Sequence, residues 1–128
     1  MKLQIFLSAA LLGVGVVARP TTATFVKVTL EEPQNWIAGP SLFPSNVLAG
    51  YSGDFCDYTA DTWAQFVLDK CKTFDACTSA LAFSALNSGS PRTRGWFGYA
   101  FKGGATTQAD YIRAEDVEKS VAYSVVKQ

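Results

Sequence analysis

The chain has 128 residues, with 11 Lys+Arg against 11 Asp+Glu and no histidine. The balanced charge provides no field to draw in nucleic acid or an anionic membrane surface. The missing imidazoles exclude Ser-His-Asp and Cys-His catalysis and any His-ligated zinc.

Residues 1–18 have the form of a secretory signal peptide. Lys2 supplies the positive start, residues 3–17 are almost uninterruptedly apolar or small, and Val16-Val17-Ala18 suits cleavage after Ala18. A transmembrane anchor is the weaker reading, because a span needs about 20 apolar residues and Gly13 and Gly15 loosen this one. Cleavage leaves a mature part of about 110 residues, one domain in size. It removes Lys2 alone of the charged residues, so ten Lys+Arg face 11 Asp+Glu. No second stretch is long enough to span a membrane, and no Asn-x-Ser/Thr acceptor is present. The expected location is extracellular.

Residues 24–30 (TFVKVTL) alternate and are rich in β-branched side chains, which predicts a first strand. Residues 31–46 hold Pro33, Pro40 and Pro44 and read as an irregular connection, with Trp36, Ile37, Leu42 and Phe43 tucked against the core. Residues 47–51 suit a short second strand. Residues 59–72 are the best helix: Thr59, Asp61 and Thr62 can cap it, and Trp63, Phe66, Val67, Lys70 and Cys71 follow helical spacing. Residues 78–86 (TSALAFSAL) read as a strand, 87–95 (NSGSPRTRG) as a hairpin loop, and 96–102 (WFGYAFK) as an aromatic strand ended by Gly103-Gly104. Residues 120–126 give a last strand. The sum is an α+β domain, one helix packed on an antiparallel sheet.

The mature chain carries Cys56, Cys71 and Cys77. An odd number leaves one thiol over unless it pairs between chains. A Cys71–Cys77 bridge would staple the helix end to the next strand, and Cys56 pairing with either of the others stays open.

The order of helix, Cys71-KTFDA-Cys77, the strand 78–86, the loop and Trp96-Phe97-Gly98-Tyr99-Ala100-Phe101-Lys102 resembles a PAN/apple domain over residues 59–127. That family has a helix on an antiparallel sheet and a strand of the type Phe-Gly-Cys-Phe-Leu-Lys. The resemblance implies a first piece at 19–46 and a PAN/apple-like core at 47–128. It favours Cys71–Cys77 as the disulfide. The family's other core bridge falls on Val67 and Tyr99, so both of its cysteines are replaced together, and the two side chains are expected to touch. The family's bridge between the chain ends is absent too. Cys56 fits no family position and is expected as a buried free thiol, packing as a small hydrophobe, with a monomer favoured over a disulfide-linked dimer.

Three functions follow as expectations. The first is a non-catalytic module of PAN/apple type that binds extracellular protein or glycan without cofactor or metal. In its small size it resembles secreted proteins of filamentous fungi, which act at the cell wall or a host surface. Its binding residues would be Arg92, Arg94, Trp96 and Lys102, with the second face of the aromatic strand as a further candidate surface if left open. The second is a small hydrolase working through paired carboxylates among Asp54, Asp57, Asp110, Glu115 and Asp116; helix-start and turn positions explain these acids better. The third is a structural surface protein assembled through Cys56. Gly103-Gly104-Ala105-Thr106-Thr107 lacks the Gly-Lys-Ser/Thr of a phosphate loop and is expected to end the strand.

Overall fold

Alternation along the strands decides which side chains face the helix, and two cores follow from it. The computed structural model describes residues 23–126; the signal-peptide expectation lies outside them. The elements in chain order are β1 (Phe25–Lys27), β2 (Trp36–Ala38), β3 (Val47–Asp54), a 3-10 turn (Phe55–Asp57), α1 (Ala60–Cys71), β4 (Ser79–Leu86), β5 (Arg94–Phe101), a second 3-10 turn (Gln108–Asp110), β6 (Tyr111–Arg113) and β7 (Glu118–Val125). Five strands form an antiparallel sheet in the order β1-β7-β4-β5-β3, and β2 pairs with β6 in a small second sheet. The domain is α+β, with one helix among the described residues.

Thr59 begins α1 through a reciprocal cap. Its hydroxyl accepts from the Thr62 amide at 3.1 Å, and the Thr62 hydroxyl accepts from the Thr59 amide at 2.8 Å. Trp63, Ala64, Val67, Leu68 and Cys71 are buried at helical spacing. Lys70, expected on this stripe, is exposed and lies over the Phe66 ring. The helix meets Ala80, Ala82, Trp96 and Ala100. The three alanines let it approach closely. The Trp63 indole N–H, which must find a partner once buried, donates to the Phe97 carbonyl at 2.8 Å.

Cys71 and Cys77 are disulfide-bonded, with Cα atoms 5.5 Å apart. The bridge ties the last helical residue to the chain entering β4.

The opposite face of the sheet is covered in part by the N-terminal connection and the small sheet. Leu30, Trp36, Leu42, Tyr111 and Val117 pack there on Leu81, Phe83, Phe101 and Ala122. Ser120 clips this layer to β7: its hydroxyl donates to the Trp36 carbonyl at 2.8 Å and accepts from the Trp36 amide at 2.9 Å. The Arg113 guanidinium stacks on the Trp36 ring at 3.9 Å.

Two expectations are corrected here. Val67 and Tyr99 belong to different cores, one on each face of the sheet. Val67 sits over Gly98 instead: a Cβ built there would lie 2.5 Å from a Val67 methyl. Tyr99, one residue on, points the other way because strand side chains alternate. The two positions therefore do not replace a bridge by touching. Cys56 is free and exposed on the 3-10 turn after β3, where none of the residues is buried. It does not pack as a core thiol.

The strand boundaries also move. β3 continues to Asp54, which pairs with Gly95 of β5, and β5 begins at Arg94, which pairs with Leu86 of β4. Lys102 lies just past β5, and Gly103 and Gly104 take φ of 111° and 102°, a turn that ends the strand as expected.

Candidate functional site

β5 sets up the site. Trp96, Gly98 and Ala100 face the helix, and Phe97, Tyr99 and Phe101 face the other side. The small sheet buries Phe101 but leaves Phe97 and Tyr99 half-buried. Phe43, 46% exposed, meets Tyr99 edge-on with ring centres 5.5 Å apart. Phe83, opposite Phe97 on β4, lies beside them, 6.1 Å from Phe97 and 6.4 Å from Tyr99. Phe43, Phe83 and Tyr99, with Ile37 and Ala38, line a pocket of about 150 Å³. Gly50 is the cross-strand partner of Tyr99, and a Cβ there would come within 3.2 Å of the tyrosine ring. The absent side chain leaves that ring edge open.

Phe97 continues this aromatic strip into a more polar cleft of about 320 Å³, lined also by Ser52, Asp54, Asn87, Thr93 and Arg94. Ser52 stands opposite Phe97 in the β3–β5 register. The Asn87 carboxamide is fixed in place: its Oδ1 accepts from the amides of Gly89 at 2.9 Å and Thr93 at 3.2 Å, and its Nδ2 donates to the Thr93 hydroxyl at 2.7 Å. These bonds close the β4–β5 loop and hold the amide at the cleft wall.

The binding residues expected from the sequence do not gather. Trp96 is 2% exposed, stacks on Phe55 and donates its indole N–H to the Phe55 carbonyl at 3.0 Å, so no ligand reaches its ring. The Arg94 guanidinium donates to the Ser84 hydroxyl at 3.2 Å and lies 3.8 Å from Glu118. Arg92 is exposed on the loop, where its Nε donates to the Asn87 carbonyl. Lys102 follows the far end of β5, about 26 Å along the strand from Arg94 at the usual rise.

The candidate acids are dispersed as well. Asp54 lines the polar cleft and Asp57 is exposed on the turn beyond it. Asp110 closes a turn, its carboxylate accepting from the Thr107 amide at 2.9 Å and the Ser41 hydroxyl at 2.8 Å. Glu115 and Asp116 are exposed in the β6–β7 turn, with Asp116 at φ 65°. Elsewhere, Tyr111 is buried against the Thr106 hydroxyl at 2.9 Å. Burial pushes its phenol up to about 12, with Thr106 partly offsetting the rise and the Asp110 charge adding to it.

The cleft residues Phe43, Ser52 and Asn87 escape a reading of the sequence as binding groups. They come together through β3–β5 pairing and the N-terminal layer, both long-range. The alternation of residues 96–101 is the one signal that points to this face.

No family model matches the chain, and neither a curated protein nor a solved structure matches it.

Proposed function

We propose that this chain is a secreted, non-catalytic binding module of PAN/apple type that recognises an extracellular protein or carbohydrate. The observation that carries the reading is the aromatic strip Phe43–Tyr99–Phe97, partly uncovered on the second face of the sheet and running into a polar cleft. Apolar surface of this kind, rimmed by polar groups, marks interaction sites. The order of one helix and antiparallel strands agrees with the resemblance; the Val67–Tyr99 replacement plays no part in it.

The test is an array of glycans and extracellular proteins probed with the chain from Arg19 onward. Binding that falls on Tyr99→Ala and on the exposed Phe43→Ala is expected. No binding at high concentration, or binding indifferent to both substitutions, refutes the reading.

A second reading is favoured by the exposed Cys56 thiol: a surface protein linked into pairs through that residue. In an oxidising compartment an accessible thiol finds a partner. A non-reducing gel of the secreted protein that shows monomer alone removes it.

A further inference from the structure

We infer that the polar cleft between β3 and the β4–β5 loop is a subsite for a neutral oligosaccharide, with Asp54 and Ser52 holding its hydroxyls and Phe97 its C–H face. The inference rests on the binding-module reading and names its ligand class.

Three observations point to it. First, Asp54 caps nothing: it precedes a 3-10 turn, and its side chain makes no capping bond there. It lines the cleft as an acceptor-only group, so the ligand must bring donors.

Second, the rest of the wall requires more than donors. The Asn87 Oδ1 is committed to two amides and its Nδ2 to one hydroxyl, which leaves one N–H to donate. Ser52 is exposed and offers a hydroxyl that donates and accepts. An ammonium group satisfies the carboxylate but has no acceptor for the Asn87 N–H. A sugar hydroxyl donates to one and accepts from the other.

Third, the apolar part is placed for a ring. Gly95 precedes Phe97 by two residues on the same face, and a Cβ there would lie 3.8 Å from the phenyl carbons. With no side chain at that position, the ring flank stays open to the cleft. A volume of about 320 Å³ falls at the small end of ligand sites and suits one sugar unit. Tyr99 lies about 7 Å further along the strand, beside exposed Phe43, where the next unit of a chain would rest. The polar cleft and the aromatic pocket thus serve adjacent units of one ligand. Arg94 also borders the cleft, and its Nη1 is held by Ser84 and Glu118.

The test is an amide-resolved NMR titration of the mature protein with hexasaccharides of glucose, mannose, galactose, N-acetylglucosamine and glucosamine. At least one neutral member is expected to shift the amides of Ser52, Asp54, Asn87, Gly95 and Tyr99. Asp54→Ala is expected to weaken that binding about tenfold without loss of spectral dispersion, since the side chain is exposed. Affinity should hold between low salt and about 0.5 M. Binding of the glucosamine chain alone, with steep salt dependence, refutes the neutral-sugar assignment. Shifts away from this cleft, indifference to Asp54→Ala, or no binding by any sugar refute the subsite. If the protein array still gives binding lost on Phe43→Ala, the module reading survives that failure. If neither glycan nor protein binds, both fall together.

Discussion

Gly98 lies directly against Val67 of the helix, and replacing it tests the packing directly. A Cβ at Gly98 would lie 2.5 and 3.1 Å from the two Val67 methyls and 3.2 Å from the Leu81 carbonyl oxygen. Neither neighbour can easily give way. A valine in a helix keeps one χ1 rotamer, and the carbonyl belongs to central strand β4. Gly98→Ala should therefore destabilise by about 1–3 kcal/mol through overpacking. Val67→Ala alone should cost about 2 kcal/mol, from two lost methyl groups and the space they leave. In the double variant the new methyl falls into the vacated space, so the combined loss should be well under the sum, with a coupling above about 1 kcal/mol. Urea unfolding with the disulfide intact measures all four proteins. Additivity within about 0.5 kcal/mol would show that Val67 does not sit on Gly98. The companion cycle of Val67→Ala with Tyr99→Ala should be additive, because the sheet lies between the two side chains. Strong coupling there would restore the contact that the two cores deny.

Three further outcomes follow from other parts of the fold. Tyr111 ionises near pH 10 when unfolded and near 12 when folded, so its contribution is complete below pH 10 and declines as pH rises towards 12. Roughly 3 kcal/mol is lost over that window, and Tyr111→Phe should flatten the alkaline limb of a stability–pH curve measured by urea unfolding. An unchanged limb would place the titration elsewhere. Replacing Cys71 and Cys77 together by alanine should cost roughly 2–3 kcal/mol in the chain-entropy account of so short a loop; equal denaturation midpoints with and without the bridge would contradict it. Thr59→Ala breaks the helix cap and should cost about 1 kcal/mol, read as a lower melting temperature of several degrees in a domain of this size.

The parts of the fold legible in the sequence are those fixed by local pattern. The helix shows in the Trp63–Val67–Cys71 spacing and in Thr59 and Thr62, and the strand 78–86 and the turn at Gly103-Gly104 fall close to where composition puts them. β2 and β6 have three residues each and no pattern of their own. They exist as strands because they pair with each other and because Ser120 and Arg113 hold Trp36. The end of β3, Ser52 to Asp54, lies beyond the strand expected over residues 47–51 and is kept extended by pairing with β5. The binding residues suffered most. Trp96 and Phe97 are alike in the sequence and are separated only by the register that gives each its face, and Ser84 and Glu118 come beside Arg94 only in the fold. Asp54 was visible as an acid, but its place next to an aromatic ring depends on β5.

The pairing of β1 with β7 has a practical side. The Val126 amide donates to the Thr24 carbonyl at 2.9 Å, so the chain enters and leaves the described domain at one place. That place is one border of the five-stranded sheet, and β3, which carries Ser52 and Asp54, is the other border. At the usual strand spacing the two borders stand about 19 Å apart. A fusion partner, surface anchor or second copy attached at either junction would leave the cleft facing outward. Copies joined in series could then engage several sites on one polymer, gaining avidity without any new contact.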